Sequence, residues 1–343
     1  MSERRNRGIS IHLTRAGLAA GAALLSGAAL VGAVVARRRF DSHLERLSAA
    51  LRGARTTPQN RSDLPAEVRA LAARLGVPTD GAATFAEFTQ TGQMWAKPGG
   101  APINFRAHQT VRVDSPGFVW RAVTQLPSPM VIADYFTGGV GGLEVRIAGA
   151  IPIAHTVANV GINRGELLRY LAEIPLNPDA ILANHALEWS VIDARTIMVA
   201  GGAGAGRGEI TFELGEDGLI ATASAAARDY ASKDGPVPLP WHGRFWNYRR
   251  SGGRLIPEDA EVAYTLDTGD FIYWRGRSFR LASASRAETG CVVSEPVIVP
   301  VCAPTLAPIA SRRGACHNAR DRRTVSENRR VTVSAPCSIM LRR

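Results

Sequence analysis

Cysteine is scarce and badly placed for a scaffold. The four, Cys291, Cys302, Cys316 and Cys337, all fall in the last stretch of a 343-residue chain, and none forms a Cys-x-x-Cys pair. The rest of the chain needs no disulfide and offers no thiolate. Cys316 beside His317 lacks the two further ligands that zinc requires at short spacing, so no metal is expected. Also missing are a Gly-x-Ser-x-Gly elbow, a His-Glu-x-x-His helix and any paired histidines at ligand spacing. His108, His155, His185 and His242 stand singly on strand patterns or their approaches and read as structural. "GGAGAGRG" at 201–208 imitates a phosphate cradle by composition, as does "TGGVGGLEV" at 137–145. The first opens no helix and lacks a Lys-Ser or Lys-Thr ending; it joins two strand patterns and reads as a hairpin loop. No cofactor is expected.

Basic charge is lacking where a nucleic-acid surface would need it. The formal net charge is +11, but residues 1–40 carry seven Arg against Glu3 and residues 280–343 carry eleven Arg against four acids. That leaves 41–279 slightly acidic, and a fold that reads phosphates concentrates Arg and Lys on its own face. No nucleic-acid partner is expected.

Long apolar runs are absent except for one. Residues 16–36, "AGLAAGAALLSGAALVGAVVA", are uncharged and as a helix would span about 31 Å, a bilayer core. A cleaved signal peptide has a shorter run, and Arg37, Arg38 and Arg39 follow this one, so it reads as an uncleaved anchor. A single-pass protein of the bacterial inner membrane is the expectation. Arg4, Arg5, Arg7 and Arg15 before the run nearly balance the arginines after it, so the face carrying the body stays open, with a lean to the cytoplasmic side. Gly17-x-x-x-Gly21 and Ala28-x-x-x-Gly32-x-x-x-Ala36 leave a homodimer through the anchor open.

The organisation that follows is a basic arm (1–15), the anchor (16–36), a juxtamembrane helix and linker (37–62) with Leu44, Leu47 and Leu51 on one face, a sheet domain (63–280) and a basic tail (281–343). The tail has no Phe, Trp or Tyr and repeated prolines, so it is expected to be disordered. The sheet domain opens on a helix with Asp63 as N-cap, Pro65, the stripe Val68, Leu71, Ala72 and Leu75, and Gly76 as its stop. Five strand patterns run from 84 to 157 and seven more from 187 to 279. Phe118, Trp120 and Ala122 alternate with Arg121, so one face of the sheet is expected to be apolar and the other wet. Few helical periods interrupt them. The fold class is α+β: a large curved antiparallel sheet of about twelve strands, half-open or closed, over a few helices and preceded by one transmembrane helix.

"GELLRYLAEIPLNPDAIL" at 165–182 is the exception. Asn163 with Glu166 reads as a capping box, Pro175 as the end of a first helix and Asn177-Pro178 as the cap of a second. Leu167, Leu168, Leu171 and Ile174 form the buried stripe, while Arg169 and Glu173 share another face with Tyr170. Two readings of Arg169 and Glu173 stand: a solvated i,i+4 pair worth about 0.3–0.5 kcal/mol, or a guanidinium turned into the sheet's hollow to hold an anionic headgroup. Trp120, Trp189 and Trp246 fall on strand patterns as candidate lining, and Trp241 and Trp246, at odd spacing, take opposite faces.

"SPGFVWRA", "GELLRYLAEIPLNPDAIL", "LEWSVIDARTIMVA" and "PWHGRFWNYRRSGGRLIP" together resemble an uncharacterised bacterial domain-of-unknown-function family, over about residues 63–280. The resemblance implies a shared fold and no activity. The layout is also similar, by analogy, to periplasmic lipoprotein carriers, whose half-open sheet wraps helices around an acyl-chain cavity. The expected function is a membrane-anchored binding protein for an apolar or lipid-like ligand in the concavity of the sheet, with Arg169, Tyr170, Glu173, Trp120, Trp189 and Trp246 at the site. The alternatives are a hydrolase using Glu173, Glu188 or Asp134 with a histidine, and a structural envelope component. The balance leans away from an enzyme.

Overall fold

A computed structural model describes residues 15–53, 61, 63–79, 83–125 and 129–284, with side chains from Gly27 to Phe279. Residues 1–14 of the basic arm, most of the linker and residues 285–343 of the tail lie outside the described residues, as do the side chains of the first half of the apolar run, whereas 281–284, read as the start of the tail, end the last strand.

Four α-helices are described: α1 (Arg15–Gly53), α2 (Ala66–Arg74), α3 (Val160–Ala172) and α4 (Ala180–Ala183). The strands are β1 (Phe85–Met94), β2 (Ile103–Arg112), β3 (Phe118–Thr124), β4 (Met130–Thr137), β5 (Val140–Ile147), β6 (Ile151–His155), β7 (Glu188–Asp193), β8 (Thr196–Gly201), β9 (Gly208–Leu214), β10 (Ile220–Ser232), β11 (Gly235–Ser251), β12 (Arg254–Leu266) and β13 (Gly269–Ala284). They form one antiparallel sheet in the order β6-β5-β4-β3-β2-β1-β13-β12-β11-β10-β9-β8-β7, curled into a half-barrel. There are thirteen rather than twelve because 143–157 folds back at Ala148 and Gly149, both at positive φ, into β5 and β6. Gly218, and Gly252 with Gly253, also at positive φ, make the tight turns β9–β10 and β11–β12.

The two meanders meet where β1 pairs with β13 over its whole length. Their outer strands, β6 and β7, are therefore both sheet edges and neighbours in the chain. The segment joining them must cross from one edge to the other, and it does so through the concave side with α3 and α4. A bent sheet with two open edges is why the strands are interrupted here.

The concave face carries the main core. Phe88, Phe105, Phe118, Trp120 and Ile132 from the sheet meet the apolar stripes of two helices, namely Val68, Leu71 and Leu75 around α2 and Leu167, Leu168, Leu171 and Ile174 around α3. Each such side chain stabilises the fold by about 1.5–3 kcal/mol relative to exposure. The convex face departs from the expected wet surface. There the second half of α1 lays Phe40, Leu44 and Leu51 on Val119, Val131 and Ala133, and Arg121 donates to Asp41 at 3.0 Å. Val119 of β3 is buried on the convex side for that reason.

Three local readings are corrected. The apolar run and the juxtamembrane segment form one helix, α1, rather than two elements. Helix α2 starts with Pro65 as N-cap, and Asp63 instead accepts from Arg61 at 2.7 Å. Helix α3 begins one turn early, capped by Asn159, whose side chain accepts from Ile162 N; Asn163 accepts from Gly141 N at 2.8 Å. Among the described residues no helix is long and apolar enough to cross a membrane.

The direction of α1 fixes the two ends of the half-barrel. A Cβ on Gly117 would press on Leu51, and one on Gly149, in the β5–β6 turn, would lie 3.3 Å from Arg37 Cγ. Strand partners Met94 with Trp274, Met130 with Ile147 and Ile147 with Ile151 mark the Arg37 end.

Candidate functional site

Helix α3 places a largely, not fully, buried charged cluster on the concave face. Arg169 Nε donates to Glu173 Oε1 at 2.8 Å, and its Nη1 donates to Asp134 of β4. The guanidinium lies over Phe118 at 4.6 Å and Trp120 at 5.2 Å from the ring centroids. Glu173 also accepts from Gln109 of β2. Trp120 donates from Nε1 to Gln90 at 2.7 Å, and Gln90 donates to Ser278 at 3.0 Å. The solvated reading of Arg169 and Glu173 is thus replaced by a buried network. Burial opposes the Arg169 charge, but Glu173, Asp134 and Glu166 more than offset it and raise its pKa.

One turn earlier, Glu166 faces Gly141, where any side chain on the strand would collide with it. Its carboxyl sits 4.0 Å from Arg228 of β10. Burial first, and the neighbouring Asp134 second, push its pKa up to about 8, so Glu166 is protonated at neutral pH. Glu166 Oε2 and Asp134 Oδ1 are buried without another partner, and a hydrogen bond from the protonated Glu166 to the Asp134 carboxylate gives both what they lack. Two guanidiniums then face two carboxylates, and the cluster is electrically balanced within itself.

Arg228 leads outward from the cluster. It donates to the Tyr273 hydroxyl at 2.9 Å, which also accepts from Trp241 Nε1 at 3.0 Å, and its guanidinium stacks over Trp241 at 5.0 Å. Beyond it Tyr273 packs on Tyr264 (5.3 Å between centroids) and Phe271 (6.3 Å), and Tyr264 on Tyr230 (5.1 Å). These rings are half-buried, on strand stretches that extend past the Met94–Trp274 pair toward the Arg37 end. Helix α3 packs mainly on β4, β5, β8, β9 and β10; among the described residues the shelf of Tyr264, Phe271 and Tyr273 on β12 and β13, with Tyr230 of β10 at its margin, is the less covered part of the concave side.

Of the six residues singled out in the sequence, Arg169, Glu173 and Trp120 come together. Tyr170, pointing away from them, is 2% exposed; its hydroxyl is 3.1 Å from Arg112 O and accepts from Asn184 Nδ2 at 3.0 Å, so it pins α3 to the sheet. Trp189 stacks on Phe212 near the β7 edge, and Trp246 is 37% exposed on β11, opposite in facing to the buried Trp241. Glu188 is paired with Arg207 at the surface. Glu166 joins the cluster from one turn earlier on α3, and Asp134 and Arg228 complete it from elements far apart in sequence, whose meeting no local spacing announced. Two hollows form elsewhere: one of about 440 Å3 between α1 and the convex face, lined by Asp41, Glu45, Arg52, His108 and Arg121, and one of about 480 Å3 lined by Thr91, Asn104 and Gln125. The space between α3 and the sheet is filled by the core itself. Among the described residues no group of His, Cys, Asp and Glu is arranged to hold a metal.

Residues 62–280 match the model of a family of unknown function (DUF6920), a stretch that contains all four sequence motifs. No curated protein gives a significant match. Among solved structures, the chain is loosely similar to a LolA superfamily protein from Nitrosomonas europaea (11% identity, TM-score 0.31, covering 63% of this chain and 92% of that one). It is similarly related to a domain from Vibrio parahaemolyticus assigned as an outer membrane lipoprotein-sorting protein (9%, TM-score 0.34, 66% and 93%). A DUF1329 family protein from Desulfovibrio piger gives 12% identity, a TM-score of 0.34 and coverage of 66% and 93%.

Proposed function

The chain belongs to the DUF6920 family, and we propose that it is a membrane-anchored binding protein for an apolar or lipid-like ligand, tethered through residues 16–36 to the bacterial inner membrane. The observation that carries this reading is the half-open aromatic shelf of Tyr230, Tyr264, Phe271 and Tyr273, continuous with the apolar core and left uncovered by α3 in a sheet that does not close. Exposed aromatic area of this kind is stabilised by covering it with an apolar group. Because the hollow under α3 is occupied by the helix, a long acyl chain enters further only if α3 gives way, and the ligand's first seat is the shelf.

A hydrolase built from Glu173, Glu188 or Asp134 with a histidine is less well supported. His108 lies with α1 on the convex side, His155 is 3.7 Å from Glu144, and His242 is 3.2 Å from Asp270. Arg169 as the holder of an anionic headgroup is likewise disfavoured, since the carboxylates of Asp134 and Glu173 already engage its Nη1 and Nε and neutralise its charge.

The test is to purify the full chain in mild detergent, extract it and titrate it with a fluorescent fatty acid. Co-purifying lipid or saturable probe binding is expected. Phe271→Asp should weaken the probe by roughly tenfold or more, the equivalent of losing about 1.5 kcal/mol of apolar burial. A protein that is empty on repeated extraction and binds no acyl probe overturns the reading.

A further inference from the structure

The β5–β6 turn and the start of the body-bound half of α1 are fastened together. Gly149 packs against the Arg37 side chain, and the Arg146 guanidinium stacks over Phe40 at 4.2 Å from the ring centroid. Arg37 is the first residue after the apolar run. The hairpin is thus held at the level where that run begins. Around this junction, alongside Arg37 and His155, aliphatic side chains are exposed. On α1 they are Leu30, Val31, Val34 and Val35, at 40–67% exposure, and on the hairpin Ile147, Ile151 and Ile153, at 39–57%. Arg38 and Arg39 follow on the same stretch of helix.

Bulky aliphatic residues concentrated at one place on a surface mark an interaction site. Two kinds of partner compete for it. A second copy would add to the free edge of β6 by strand pairing, but Pro152, the second residue of that five-residue strand, has no N–H to give, the usual device by which an edge refuses a partner. A lipid surface asks for no backbone pairing. It takes aliphatic side chains into its acyl boundary and arginines into its anionic headgroups, which is the composition present here.

We propose that the β5–β6 hairpin is a membrane-docking element: Ile147, Ile151 and Ile153 seat in the headgroup boundary of the bilayer that holds α1. This rests on the anchor reading above and adds an orientation to it. The hairpin and the aromatic shelf belong to the same end of the half-barrel, so docking turns the uncovered part of the concave face toward the lipid. A ligand leaving the bilayer then meets the shelf without crossing open water, and the body stands upright on its tether instead of swinging freely.

The experiment uses the full chain with Cys291, Cys302, Cys316 and Cys337 changed to Ser, a single cysteine at position 151 (Ile151→Cys) carrying an environment-sensitive fluorophore, and reconstitution into vesicles of phosphatidylethanolamine and phosphatidylglycerol. A control label replaces Ala226, an exposed residue of β10. The expected result is a several-fold emission rise and quenching by headgroup-proximal spin-labelled lipid at 151, with neither at 226, and loss of both on adding Ile147→Asp and Ile153→Asp. Those two substitutions fall at exposed positions, so the unfolding midpoint in detergent should hold, which separates docking from misfolding. If the chain fails to enter vesicles at all, the anchor reading falls and the docking proposal with it. If it enters and the 151 label reports water, docking alone is overturned. If the label is shielded in proportion to protein density and not to lipid spin label, a second copy covers the hairpin and the proposal is wrong.

Discussion

Replacing Glu166 by Gln should make the protein more stable in mild alkali, an unusual direction for a buried substitution. The Glu166 carboxyl titrates at 4.5 in an unfolded chain and is held up to about 8 in the fold, by burial first and by Asp134 second. The folded state therefore keeps a proton that the unfolded state has lost, and stability falls as pH rises between those values. The contribution is complete below 4.5, declines by about 1.4 kcal/mol per pH unit and is gone above about 8, roughly 5 kcal/mol in all. Glutamine has the shape and hydrogen-bonding capacity of the protonated acid and cannot ionise, so it should still donate to Asp134. Urea unfolding of the full chain in detergent, at several pH values from 5 to 9, reads the effect directly. The wild type should lose several kcal/mol over that range and Glu166→Gln should not. The difference between the two curves matters, because His108, whose pKa burial lowers, contributes equally to both. A variant with the wild-type pH slope, or one less stable than wild type at pH 9, would refute the shared proton.

Three further outcomes follow from the same geometry. Arg169→Ala strands Asp134 and Glu173 in the core and should cost about 3–5 kcal/mol in denaturant unfolding, without the selective loss of anionic ligands that an open guanidinium would give. Asp179, fully buried, accepts from Arg254 in a bidentate pair with a shortest contact of 2.6 Å that ties α4 to β12; Asp179→Ala should likewise cost about 3–5 kcal/mol and leave probe affinity per folded molecule unchanged. Trp120→Ala should cost about 3–5 kcal/mol, whereas Trp246→Ala, at an exposed position, should stay within about 0.5 kcal/mol, and thermal unfolding of the two variants side by side checks the ranking.

The antiparallel, curled sheet was legible because its signals are local. Alternation in β3, turn glycines at 218 and 252–253, and the leucine stripe of α3 each depend on neighbours a few residues away. The split of 143–157 into two strands was missed because Ala148 takes a left-handed conformation that alanine seldom adopts, so no glycine or asparagine flagged the start of the turn. The coverage of the convex face was missed because the leucines of α1 were visible but their destination was not; Val119 and Arg121 gave no sign of which would be covered. At the site, the Arg169–Glu173 pair could be read from helical spacing, but its burial depended on Asp134, 35 residues away, and on Gln109, 64 residues from Glu173. Glu166 looked like a capping residue because its spacing from Asn163 fits that role equally well. Which of two locally adequate explanations holds was decided by the register of strands on the far wall.

The seam between β1 and β13 sets the order in which this molecule can be made. Phe85 faces Ala284, about two hundred residues later in the chain, and every strand between them can find its hairpin neighbour first. During synthesis β1 waits with one side unsatisfied until almost the whole body has emerged, and closing so long a loop is slow. A ribosome that stops before residue 269 releases two meanders linked only through the α3–α4 segment, each exposing an unpaired edge, and such fragments are material for aggregation or proteolysis rather than for partial function.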